Sequence, residues 1–118
     1  MALDVTALAQ IKALDQETGG GLMAELLALF FDGTPRRIAN LREAIAQADA
    51  RSVERESHSL KGSCGALGAI DLMNLAGELE VRARAGQLEG AAARVDALEA
   101  EFHGASALLA AERASYLK

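Results

Sequence analysis

Tryptophan is absent, and cysteine and proline each occur once in 118 residues. Aromatic residues make up only 3% of the chain. With aromatic and β-branched residues so scarce, strands are poorly supported. The hydrophobic fraction is still 51%, and it is mostly Ala and Leu, which are strong helix formers. A single proline leaves room for long helices. The lone Cys64 excludes an internal disulfide, offers no cysteine metal cluster and suits a reducing cytoplasm. No apolar run approaches the roughly 20 residues of a membrane span. The longest candidate, from Leu22 to Phe31, is interrupted by Glu25. Met1-Ala2-Leu3-Asp4 lacks the basic start of a secretory signal, and no apolar core follows. The net charge of −5 argues against nucleic acid, whose binding needs a positive field. The expectation is a cytoplasmic protein with no membrane and no nucleic-acid partner. Its length fits one domain over residues 1–118.

What is present is helical periodicity. Asp4 or Thr6 can cap a first short helix with Val5, Leu8, Ile11 and Leu14 on one side. It stops before Gly19-Gly20-Gly21, and a helix so short must dock on something larger. From Leu22 to Ala48, Leu27, Phe31, Thr34, Ile38, Leu41 and Ile45 recur at alternating steps of 4 and 3. The phase persists across Pro35. That favours one kinked helix over a helix that stops and restarts with Thr34 as N-cap. After a short polar turn, Asp49 or Ser52 can cap a helix with Val53, Ser57, Leu60, Cys64 and Leu67 inward, ended by Gly68. A fourth segment starts at Asp71, carries Leu72, Leu75, Ala76, Leu79 and Ala83 on one side, and fades at Arg84-Ala85-Gly86. The last runs from about Leu88 to Ala114, with Leu88, Ala92, Val95, Leu98, Phe102, Ala105 and Leu109 as its stripe. Short connections make neighbours antiparallel. The expected fold is all-α: an up-down-up-down antiparallel four-helix bundle with a short extra N-terminal helix.

The third long segment holds one of only two histidines. On a helical wheel His58 lies more than a right angle from the middle of the inward stripe. Lys61, Gly62 and Gly65 fall near it. His58 should therefore face solvent, with a cation beside it and two missing side chains on the same face. Neutral imidazole is a good nucleophile, and histidine as a residue type titrates near neutrality. Lys61 can offset the charge of an incoming phosphoryl group. Gly62 and Gly65 leave the surface bare for a partner's active site. Glycine inside a helix costs roughly 0.5–1 kcal/mol relative to Ala, so its use in an alanine-rich chain needs a reason. A solvated histidine and a close helix crossing are the plain alternative.

The run His58-Ser59-Leu60-Lys61-Gly62-Ser63-Cys64-Gly65-Ala66-Leu67-Gly68-Ala69 resembles the His-x-Leu-Lys-Gly-Ser-x-x-x-Leu-Gly-Ala signature of histidine-containing phosphotransfer (HPt) domains. The resemblance extends weakly to both sides: Leu26 to Pro35 looks like the family's second-helix pattern, and Glu78-Leu79-Glu80 like its fourth-helix pattern. Ser57 stands where the family usually has Ala, and Cys64 where Ser or Ala is common. The resemblance implies that His58 is the phosphoacceptor, Lys61 neutralises phosphoryl oxygens and Gly62 gives clearance for a receiver. It implies that Glu80 orients the His58 ring; a plain solvated carboxylate is the alternative. Implied partners are response-regulator receiver domains and a hybrid sensor histidine kinase. The domain needs no cofactor of its own, since Mg²⁺ is expected on the receiver. Some of Val5, Leu8 and Ile11 would be exposed for the receiver, with at least half in the core.

Other features carry less. His103, beside Phe102, has no metal-ligand spacing around it and reads as a surface or boundary residue. Ser63 has no base at triad-like spacing. Gly19-Gly20-Gly21 follows no strand and lacks a Gly-Lys-Ser/Thr sequel, so no nucleotide site is expected and the chain has no kinase activity of its own. The expectation is a monomeric, free-standing phosphorelay intermediate. The alternative is a non-catalytic helical module that sequesters a receiver or another signalling partner.

Overall fold

The computed structural model describes residues 3–116, and side chains within 3–110. Its elements are α1 (Val5–Thr18), α2 (Leu22–Ala28), a π-helical turn (Leu29–Gly33), α3 (Thr34–Ala46), α4 (Ala50–Ala66), α5 (Ile70–Arg84) and α6 (Ala91–Tyr116). The segments α2, π turn and α3 follow one another without interruption, so five helices make an antiparallel bundle of four plus the N-terminal helix. At about 1.5 Å per residue, the 26-residue α6 spans most of the 44 Å long axis. No helix among the described residues is long and apolar enough to cross a membrane.

The wide turn lies where Pro35 enters α3. Proline has no N–H and crowds the carbonyl four residues back, here that of Phe31. A π turn holds one more residue than an α turn and relieves that crowding. The chain thus continues through Pro35 instead of restarting, and Thr34 is helical rather than an N-cap. Phe30 and Ala44 are buried, where the alternating stripe had Phe31 and Ile45, which pack against the core only in part. Phe30 meets Phe31 edge-on at 5.3 Å and Phe102 of α6 at 5.1 Å.

The α4 stripe of Val53, Ser57, Leu60 and Cys64 is fully inside, and so is Leu67, its C-cap. Asp49 caps α4 through its bond from the Ser52 amide. In α6 the register differs from expectation. The helix starts at Ala91 after Gly90, so Ala91 is buried, Ala92 is exposed and Leu88 precedes the helix. In α1, Leu8 and Ile11 join the core, while Val5 is 74% exposed and Leu14 is half-exposed.

Two backbone devices hold α1 in place. Gly19, Gly20 and Gly21 all have positive φ, which only glycine adopts cheaply, and they reverse the chain into α2. Asp15 then reaches across this turn, and its carboxylate accepts the amides of Leu22 at 2.7 Å and Met23 at 3.0 Å. At the other end, the Asp4 amide donates to the Gly68 carbonyl at 2.8 Å. Gly68 has φ +73°, and a Cβ there would sit 2.7 Å from the Asp4 carbonyl oxygen.

Candidate functional site

The site forms where α4 and α5 lie side by side, joined by the tight turn Leu67-Gly68-Ala69. His58 is on the outer face of α4 with 68% of its side chain exposed. Its Nδ1 is 2.7 Å from Oε2 of Glu80, which projects from α5. Glu80 is buried, with 4% of its side chain exposed, so it is not the solvated carboxylate that its position on a charged helix allowed. Its other oxygen, Oε1, lies 2.7 Å from Lys61 Nζ. Arg84, one turn on along α5, donates from Nη2 to Oε2 at 3.0 Å and from Nε to Glu54 at 2.9 Å.

These contacts set the chemistry of the ring. Lys61 first, and His58 after it, hold the Glu80 carboxyl below the usual range against the opposing effect of desolvation. Glu80 is therefore an acceptor only, and the Nδ1 side of the bond must carry the proton. In the neutral ring Nε2 then keeps its lone pair, and the ring is exposed.

Gly62 lies beside His58, and a Cβ there would meet nothing within 4 Å, so the surface is open. Gly65 differs from expectation. A Cβ on it would come within 2.9 Å of Met73 Sδ, so this glycine admits a side chain of α5 rather than a partner. Gly77 of α5, which sequence reasoning did not single out, lies under the Lys61 stem. Arg84 and Glu54 were also missed as members of the site; only their positions one turn from Glu80 and from His58 hinted at it.

The remaining candidates stay apart. His103 is exposed on α6 against the Phe102 ring at 5.7 Å. The Ser63 hydroxyl donates to the Leu60 carbonyl, and the Ser57 hydroxyl to that of Val53. Burial pushes the Cys64 thiol up to about 11. Among the described residues, no group of His, Cys, Asp or Glu could hold a metal ion.

The profile of the Hpt domain matches residues 25–108, which holds α4, α5 and every residue of the His58 cluster. The chain belongs to the Hpt domain family. This Hpt domain is also similar to a crystal structure of histidine-containing phosphotransfer protein B (HptB) from Pseudomonas aeruginosa PAO1. The two are 31% identical, with a TM-score of 0.85, covering 97% of this chain and 96% of the other. Among curated protein sequences, none matches this Hpt domain.

Proposed function

We propose that this chain, read as one unit over residues 1–118, is a phosphorelay intermediate that carries a phosphoryl group on Nε2 of His58. The observation that supports this best is the His58–Glu80 bond. It commits Nδ1 as donor and turns a free Nε2 outward. A receiver domain bearing an aspartyl phosphate docks over the Gly62 face. The Nε2 lone pair attacks phosphorus, the P–O bond to the aspartate breaks, and the carboxylate leaves with the electron pair. As the N–P bond forms the ring becomes positive, and the Glu80 carboxylate at Nδ1 offsets that charge. Lys61 has a flexible stem and a mobile ammonium that can turn from Glu80 to the phosphoryl oxygens. Transfer to a second receiver aspartate reverses these steps.

The partners on this reading are response-regulator receiver domains, with a hybrid sensor histidine kinase upstream. Mg²⁺ belongs to the receiver. The domain itself supplies a placed nucleophile and clearance, which is mostly proximity catalysis. It acts as a cytoplasmic monomer.

The test is phosphotransfer from labelled receivers, with His58→Gln and His103→Gln in parallel. The expected label is acid-labile, alkali-stable and lost only with His58→Gln. A folded protein that binds receivers but takes no label would instead be a sequestering module.

A further inference from the structure

The Glu80 carboxylate serves His58 and Lys61, and both have work elsewhere when a phosphoryl group arrives. Lys61 has to swing away from Oε1. The His58 ring has to hold its direction while a partner presses on it. A carboxylate this buried cannot keep its charge and its aim without further donors. The remaining donor is Arg84, which bonds the same Oε2 that receives His58 Nδ1. Arg84 sits one helical turn beyond Glu80, and its Nε is tied to Glu54, one turn before His58 on α4. The chain Glu54–Arg84–Glu80–His58 thus closes a loop between the two helices. Both Arg84 bonds come from one planar guanidinium, a geometry that lysine cannot reproduce. Arg51 and Arg55 line the same 470 Å³ surface cavity as His58, but neither is bonded to Glu80.

We propose that Arg84, anchored by Glu54, is a positioning residue for His58: it fixes Glu80 Oε2 against Nδ1 and stays on the carboxylate when Lys61 leaves. This rests on the phosphoacceptor reading of His58. Arg84 touches no reacting atom. An exposed pair of this kind usually contributes little to stability, and 60% of the Arg84 side chain is exposed. Its effect should therefore show in the ring and in the rate, not in the fold.

The experiment uses the full chain, ¹⁵N-labelled, in mildly alkaline buffer where imidazole is neutral. Long-range ¹H–¹⁵N spectra of the His58 ring report which nitrogen carries the proton. Wild type is expected in the Nδ1–H form. Arg84→Gln and Glu54→Gln are expected to raise the Nε2–H fraction, while the His103 ring signals and the helical circular dichroism stay put. Arg84→Lys should restore the ring only in part. With saturating receiver, Arg84→Gln should slow transfer by about 3- to 10-fold with KM little changed. Unchanged His58 ring signals in both Gln variants would overturn the proposal. A raised KM with unchanged ring signals would make Arg84 a docking contact and overturn it as well. The ring measurement needs no receiver, so a failure of phosphotransfer in wild type would sink the proposed function separately.

Discussion

Gly62 and Gly65 look alike in the sequence, three residues apart on the His58 face, yet they serve different purposes. Gly65 is filled by Met73, whereas nothing in the fold approaches Gly62. On the proposed function, this clearance, which none of the described residues uses, serves the receiver. A Gly62→Ala variant therefore separates stability from function. It should be more stable by about 0.5–1 kcal/mol, because alanine is the better helix residue and its Cβ meets open space. It should nonetheless transfer phosphoryl groups more slowly. Urea unfolding beside the receiver assay checks both halves; a gain in stability with an undiminished rate would remove clearance as the role of Gly62. The wheel placed both glycines on the His58 side of α4, and only Gly62 is open there. It could not tell them apart, because the difference is a methionine from the next helix. Glu80 repeats the point: its spacing from Ala76 and Ala83 puts it at the edge of the α5 stripe, but its contacts with His58 and Lys61 come from α4.

At the level of elements, the periodic stripe was most legible in α4 and only half so in α1, where Val5 and Leu14 of the expected stripe lie outside the core. In α4 all four stripe residues are inside, as is Leu67 just after it. The stripes slipped where geometry changes. Near Pro35 the π turn places Phe30 inside rather than Phe31, and at α6 a start at Ala91 places Ala91 inside rather than Ala92. A stripe read at a constant 3.6 residues per turn does not contain either event. The reach of Asp15 across the triple glycine was equally invisible, because a cap seven residues away belongs to no local motif. Asp15→Ala leaves two amides at the start of α2 without their acceptor and should cost about 1–2 kcal/mol. Urea titration checks the total, and faster amide exchange at Leu22 and Met23 places the loss at the α1–α2 junction. Asp15→Asn, which keeps one acceptor oxygen, should cost less.

For the whole molecule, the bundle supplies its own core, and most of the ion pairs among the described residues lie between its helices. Arg37 and Asn40 of α3 hold Glu56 of α4, Arg42 reaches Asp96 and Glu99 of α6, and Arg94 of α6 meets Glu78 of α5. Such surface pairs are worth little each and mostly favour the correct neighbours. Stability resides in the buried seam, and Cys64 sits in it, fully buried with its thiol raised to about 11. Local fraying should not expose it. Alkylation of Cys64 under native conditions should therefore proceed only through global unfolding. The opening free energy from alkylation rates should equal that from urea unfolding; a clearly smaller value would mean that α4 opens locally.

The all-helical class, the number and order of the helices, the turn glycines and the run that starts at His58 were all readable from the chain alone. Helix periodicity, capping and breaking act over a few residues, so adjacent positions carry the whole signal. The burial of Glu80, which decides between its two readings, the pairing of Lys61, the anchor from Glu54 through Arg84 and the distinction between the two glycines came with the packing of α5 on α4. Those depend on the register of two helices across a turn, and a register is a property of contacts between residues distant in the chain.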